Sequence, residues 1–269
     1  MADRAIIVEN LEKYFPPAYS GWRVFLQPVA QLTVRALAGI SFSVEPGEAV
    51  ALIGENGAGK STLLRVLATL ILPTRGHAQI SGCDVERDGP NARKHLGYFT
   101  SGEEGFYGRL TGRENLRMFA AMNNLFRAQA ARRIGELADL LGLGDVLDRQ
   151  ARTYSTGKLQ RLGLTRALLH APSVLLLDEP TRSLDPIAAA EFRRFLKSEI
   201  VSRLGTTLLF ASHTLGEVEE LAGRVVLLAE GHVRALDTPR NLCAKTGTAN
   251  LQEALEHLAP RPSAVERAQ

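Results

Sequence analysis

Cysteine is scarce in this sequence: Cys83 and Cys243 are the only two, far apart and without a CxxC partner. Neither a disulfide framework nor a zinc site is implied, and a reducing compartment fits. Long apolar runs are missing as well. None approaches the roughly 18–20 residues needed to span a bilayer, and Met1–Glu9 lacks the apolar stretch of a secretory signal. The chain is therefore expected in the cytosol, with any membrane role exercised through a partner. An excess of one charge is also absent. Lys and Arg number 32 against 29 Asp and Glu, a net charge of +3. A nucleic-acid binder concentrates its basic residues on one element. Here they are scattered, so no nucleic-acid partner is expected. No internal repeat or low-complexity tract interrupts the chain.

What is present is ordinary globular composition. The 269 residues, 45% of them hydrophobic, can bury a substantial core and lie near the upper size for one domain. Ile6–Val8 reads as a short strand, and Pro16–Thr33, broken by Pro16, Pro17, Gly21 and Pro28, as an insertion or long loop. Alternation through Ile40–Val44 predicts a half-buried strand; the continuous apolar run Ala49–Ile53 predicts one covered on both faces. A helix carrying Leu63, Leu64, Val66, Leu67 and Leu70 follows. Thr111–Glu114 fits a capping box. Beyond it Leu116, Phe119 and Ala120, then Ile134, Leu137, Ala138 and Leu141, recur at helical spacing. This is a mostly helical insertion, at about 100–165, between two halves of an α/β core. Val174–Leu177, Leu208–Ala211 and Val225–Ala229 are further strands, the last turning at Glu230-Gly231 into a hairpin with His232–Leu236. Leu251, Leu255 and Leu258 suggest a short C-terminal helix, and Ala259–Gln269 a mobile tail. Strands alternating with helices predict a mostly parallel sheet.

The sharpest signal is Gly54-Glu55-Asn56-Gly57-Ala58-Gly59-Lys60-Ser61-Thr62, a full match to GxxxxGK[ST] between a strand and a helix. Wrapping a triphosphate requires main-chain N–H groups that all point inward. Glycines permit that curvature and keep side chains out of the phosphate's way. The helix that follows aims unpaired N–H groups and its positive dipole end at the anion. Lys60 is placed to reach the β- and γ-phosphates of ATP, and Ser61 to offer a hydroxyl to Mg²⁺.

A second constellation ends the strand Val174–Leu177: the acids Asp178 and Glu179. Ligand sites of open α/β sheets lie at such carboxyl ends. Asp178 suits Mg²⁺, a hard ion that takes few protein oxygens and keeps waters. Glu179, one residue on, suits a carboxylate that accepts a proton from attacking water.

Taken in order, these residues resemble the ABC ATPases, the nucleotide-binding subunits of ATP-binding-cassette transporters, over about residues 5–258. Tyr154-Ser155-Thr156-Gly157-Lys158-Leu159-Gln160-Arg161 is similar to the family signature, with Ser155 and Gly157 matching and Tyr154, Thr156 and Lys158 departing from the usual residues. In the family this segment completes the ATP site of the other subunit, so the resemblance implies nucleotide contacts from Ser155, Thr156, Gly157 and Lys158. Ser183-Leu184-Asp185 resembles the loop that crosses the dimer interface, and His213 the histidine that senses γ-phosphate. Phe15, rather than Tyr14, fits the aromatic that stacks on adenine. One departure stands out. Where the family usually carries a glutamine after a Gly-Tyr strand, this chain has Ser101, followed by Gly102-Glu103-Glu104.

The implied fold is a P-loop core with a mostly parallel sheet, an antiparallel β subdomain and an inserted helical subdomain. The ATPase domain is expected over 1–245, with a short helix and tail over 246–269. The implied partners are a transmembrane permease, received on the helical subdomain, and a second ATPase subunit in a homodimer at the cytoplasmic face of the membrane. The region Phe106–Leu116 and the insertion at Pro16–Thr33 resemble an exporter subset. A soluble non-transport ATPase and an ATP-switched binding module stay open as alternatives.

Overall fold

Strand β1 (Ile6–Phe15) opens the chain and pairs antiparallel with β2 (Val34–Val44). Both run longer than hydrophobic alternation alone predicts, because register shifts between Val8 and Leu11 and between Lys13 and Tyr14 break the alternation without ending the pairing. Residues 4–16, 34–101 and 105–259 are described in this computed structural model. The insertion expected at Pro16–Thr33 lies, past Pro16, outside them, as does the tail beyond Ala259.

Strand β3 (Ala49–Ile53) is buried at every position and leads through the glycine loop into α1 (Lys60–Leu67). Then come β4 (Arg75–Ile80), β5 (Cys83–Asp84), α2 (Gly89–Lys94) and β6 (Leu96–Thr100). Of these, β4 pairs with β1, so the first sheet has the order β2-β1-β4-β5 and is antiparallel throughout.

The helical insertion consists of α3 (Gly112–Met122), α4 (Arg127–Leu140) and α5 (Thr156–Leu168). The capping box at the start of α3 is formed as expected: Thr111 Oγ1 accepts from Glu114 N at 3.1 Å, and Glu114 Oε2 accepts from Thr111 N at 2.8 Å. The core resumes with β7 (Val174–Asp178) and α6 (Pro186–Phe195), which continues as wider helical turns over Leu196–Arg203. It ends with β8 (Thr207–Ala211), α7 (Leu215–Leu221), the hairpin β9 (Arg224–Ala229) and β10 (His232–Asp237), α8 (Pro239–Thr246) and α9 (Leu251–Leu258).

The second sheet has the order β10-β9-β3-β8-β7-β6 and is parallel except for β10. Its central strands are apolar on both faces because both are covered. Val50 and Leu52 of β3 pack with α1 and the first sheet, while Ala49, Ala51 and Ile53 pack with the helices of the insertion and the C-terminal half. Strand β7 divides in the same way: Val174 and Leu176 on one side, Leu175 and Leu177 on the other. The expected boundary at 245/246 falls in the last turn of α8, and Leu242, Leu251, Ala254 and Leu255 join the same apolar cluster as Leu227 of β9.

Candidate functional site

The loop between β3 and α1 is shaped by two glycines. Gly54 has φ 155°, and a Cβ there would lie 2.1 Å from the Leu228 carbonyl oxygen; Gly59 has φ 104°, and its Cβ would lie 2.4 Å from the Ala36 carbonyl oxygen. Only glycine lets the loop approach β9 on one side and β2 on the other. Gly59 also begins α1 without a side-chain cap, and no acid sits in the first turn. The helix dipole there is left to an anion.

Lys60 is 7% exposed, and its ammonium donates to the carbonyls of Gly54 at 2.6 Å and Glu55 at 3.0 Å. Burial lowers its pKa, while the nearby Glu179 and Asp178 carboxylates act in the opposite direction. Ser61 Oγ donates to Asp178 Oδ1 at 3.0 Å across a sequence separation of 117. Asp178 is the buried last residue of β7. Beyond it Glu179 N donates to the Ala211 carbonyl at 3.0 Å, extending the pairing with β8 by one step. Glu179 then turns through the left-handed region, φ 53°, and its Oε2 meets His213 Nδ1 at 2.5 Å. Lys60, Ser61, Asp178, Glu179 and His213 are thus gathered at the carboxyl edge of β3, β7 and β8.

The Ser61 hydroxyl and the Asp178 carboxylate form a hard-oxygen pair beside the loop. Among the described residues no group of three or more His, Cys, Asp or Glu could hold a metal. The pair fits Mg²⁺, which takes one or two protein oxygens and fills the rest of its shell from phosphate and water. Glu55, Asn56 and Gly57 are exposed along the loop, while Ala58 is buried; Thr62, in the first turn of α1, is half-buried.

Phe15 ends β1 opposite Val34, half-buried, with Lys13 Nζ 5.2 Å from its ring centre. Tyr14 is otherwise engaged: its hydroxyl donates to Glu12 at 3.0 Å and Arg35 covers its ring.

The signature residues lie elsewhere. Ser155 caps α5, its hydroxyl 3.4 Å from Lys158 N, and Thr156 is exposed in the first turn. A cavity of about 250 Å³ is lined by Ser155, Gly157, Lys158, Arg161, Leu184 and Phe192. The Lys158 side chain turns away to the end of α4, donating to the Gly142 carbonyl at 2.6 Å and Asp145 Oδ1 at 2.7 Å. Tyr154, a departure from the family pattern, is buried and donates to the Val146 carbonyl at 2.6 Å, which anchors the start of α5 to the segment that follows α4. Asp185 caps α6, accepting from Ile187 N and Ala188 N at 3.0 Å each.

Ser101 follows β6 beside the end of β7, its N–H donating to the Asp178 main-chain carbonyl at 3.2 Å, and its buried hydroxyl has no partner among the described residues. Gly102, Glu103 and Glu104 lie outside the described residues. Two features escape the sequence reading. The helix α9 reaches the phosphate loop: Leu255, Glu256 and Ala259 line a cavity of about 410 Å³ together with Gly54–Ala58 and the end of β9. Glu217, in the first turn of α7, is 1% exposed and lies near Glu179 and Ser212. The pattern Thr214-x-x-Glu217 has the form of a capping box, yet the side chain of Thr214 does not cap. The signal is therefore present, with a different use.

Comparison with known proteins gives one consistent picture. The family described as "ABC transporter" matches residues 37–182. The ABC transporter ATP-binding protein NatA of Bacillus subtilis is 36% identical over 200 residues, covering 74% of this chain and 80% of that protein. The daunorubicin/doxorubicin resistance ATP-binding protein DrrA of Streptomyces peucetius is 36% identical over 233 residues, covering 86% of this chain and 69% of its own. Among solved structures, cbiO1 of Clostridium perfringens, part of the ABC transporter complex cbiONQ, superposes with a TM-score of 0.75 at 25% identity, over 91% of this chain and 92% of that one.

Proposed function

Because this chain belongs to the ATP-binding subunits of ABC transporters, we propose that it hydrolyses ATP to drive an exporter through a separate membrane permease. The observation that carries this reading is the meeting of Ser61 with Asp178, and of Glu179 with His213, beside a phosphate loop. Among the described residues no helix is long and apolar enough to cross a membrane; in this reading a separate permease holds the chain at the membrane. The name of DrrA, a drug-resistance protein, supports the export direction.

Gly54–Thr62 wrap the phosphates, and the N–H groups of the loop and of the first turn of α1 bind their oxygens. Phosphate oxygens take over the Lys60 ammonium from the carbonyls of Gly54 and Glu55. Phe15 stacks on the adenine. Ser61 and Asp178 would hold Mg²⁺, which would offset the negative charge of the phosphates. Glu179 orients the attacking water and accepts its proton. His213 holds that carboxylate through Nδ1 and faces the γ-phosphate with the rest of its ring.

The remaining contacts come from a second copy. Ser155, Gly157 and Lys158 at the N-terminus of α5 line a cavity that shares no residue with the one at the loop; Thr156 and Asp185 accompany them in this reading. A two-fold dimer brings them to the partner's nucleotide and builds both sites from the same two surfaces. Binding ATP better in the closed dimer than in the open one makes the nucleotide an adhesive between subunits, and its cleavage releases them.

The test is direct. Purified full-length chain should bind a fluorescent ATP analogue with Mg²⁺ and hydrolyse ATP. Affinity capture from its own host should bring down a hydrophobic protein of several membrane spans. Absence of nucleotide binding with metal present would overturn the ATPase reading. Turnover without any membrane partner in the captured material would overturn the transport reading alone.

A further inference from the structure

The pair Glu179–His213 sits on two separate loops, one after β7 and one after β8, joined in the backbone by the Glu179 N–H, which donates to the Ala211 carbonyl at 3.0 Å. Beneath it lies a small polar island in an apolar surround. Thr181, two residues after Glu179, is 9% exposed; Ser212, immediately before His213, is 0% exposed; Glu217 is 1% exposed. The hydroxyls of Ser212 and Thr181 both approach the Glu217 carboxyl. Its Oε1 is buried and has no hydrogen-bond partner among the described residues. Ser212 Oγ also accepts from Thr214 N at 3.0 Å, so the turn that carries His213 is held by the same island.

We propose that Glu217 is a positioning residue that ties the loop of Glu179 to the loop of His213 through the hydroxyls of Thr181 and Ser212. The inference rests on the ATPase reading given above. Buried polar groups are kept where their hydrogen bonds fix one arrangement among several, and this carboxyl is approached by one hydroxyl from each loop. The charged groups that face it are Arg193 from α6 and Glu179 from the end of β7. Arg193 is committed to Glu220 at 2.5 Å and does not form an ion pair with Glu217. Burial, the largest influence, pushes the carboxyl pKa up. Glutamine keeps the length and the polar end of the side chain, and alanine removes both.

The experiment compares Glu217→Ala, Glu217→Gln and Thr181→Val in the full chain, reading ATP affinity with a fluorescent analogue, kcat and KM for ATP, and melting temperature. Glu217→Ala and Thr181→Val are expected to lower kcat about 10- to 100-fold, the scale of a misplaced catalytic group, with KM and ATP affinity changed less than about twofold. Glu217→Gln should stay within about threefold of the wild-type kcat, with an unshifted pH–rate profile. In a Glu179→Gln background, Glu217→Ala should have no further effect on turnover. Wild-type kcat in both Glu217→Ala and Thr181→Val would overturn the inference. So would loss of kcat in Glu217→Gln equal to that in alanine. If the wild-type chain itself neither binds nor cleaves ATP, the ATPase reading has failed instead, and the two failures are told apart by that control.

Discussion

Glu179 Oε2 lies 2.5 Å from His213 Nδ1, although the two residues follow different strands and stand 34 positions apart. The contact depends on an unfavourable backbone choice: Glu179 has φ 53°, a region that costs an L-residue about 1–2 kcal/mol. The hydrogen bond from its N–H to Ala211 holds it there. Strain of this kind is kept where it aims a side chain.

Replacing Glu179 with Gln removes the proton acceptor and leaves the shape. Turnover should fall by about 10²- to 10⁴-fold while ATP binding persists, and ATP should then trap the dimer. Size-exclusion chromatography with MgATP reads the outcome; a variant that remains monomeric at high protein and ATP concentration would count against the two-fold arrangement.

His213→Ala leaves Glu179 without its partner. The expected result is a loss of kcat of about 10²-fold or more with little change in nucleotide affinity. A rise in KM at constant kcat would instead assign His213 to ground-state binding.

Lys60→Ala removes a buried ammonium flanked by Asp178 and Glu179. Hydrogen bonds to charged groups contribute about 1.5–3 kcal/mol, so ATP affinity should weaken about ten- to a hundredfold in a titration with labelled nucleotide. Unchanged affinity and turnover would take Lys60 out of the mechanism.

Gly59→Ala and Gly57→Ala separate overlap from backbone strain. Both positions have positive φ, 104° and 84°, but a Cβ meets the Ala36 carbonyl at 2.4 Å at Gly59 and nothing within 4 Å at Gly57. The backbone cost alone is about 1–3 kcal/mol. Gly59→Ala should therefore lower the melting temperature more than Gly57→Ala, and equal losses would show that the close approach to β2 is not felt.

Asp237 supplies a pH test of the C-terminal segment. Lys245 first, then Asn241 and the Thr238 N–H, pull its pKa down from 3.8 to about 2. A depressed carboxyl stabilises the fold above its unfolded pKa, and that contribution is lost as pH falls through the folded value. Asp237→Asn should melt earlier than wild type at neutral pH, with the gap closing between about pH 4 and about pH 2. A gap that stays constant over that range would mean that ionisation of Asp237 does not matter.

Much of the fold can be read locally. The run Ala49–Ile53, the capping box at Thr111 and Glu114, and the turn at Glu230-Gly231 each state their structure within a few residues, because hydrophobic period, cap chemistry and turn chemistry act over that range. The strands β4 and β5 and the helix α8 are not legible in this way. Arg75–Ile80 reads RGHAQI, with too little apolar content to announce a strand, and it becomes one only by pairing with β1.

The sequence by itself determined the chemistry: a loop that curves around phosphate, a lysine and a serine at its end, and two acids after a buried strand. Those follow from residue types and short spacings. The tertiary structure alone decided which of these groups meet. It set Ser61 against Asp178, aimed Glu179 at His213, turned Lys158 to Asp145 and placed Glu217 under the site. Each of these contacts joins segments from separate elements, and their distances are fixed by the pairing of β3, β7 and β8 and by the packing of helices on both faces.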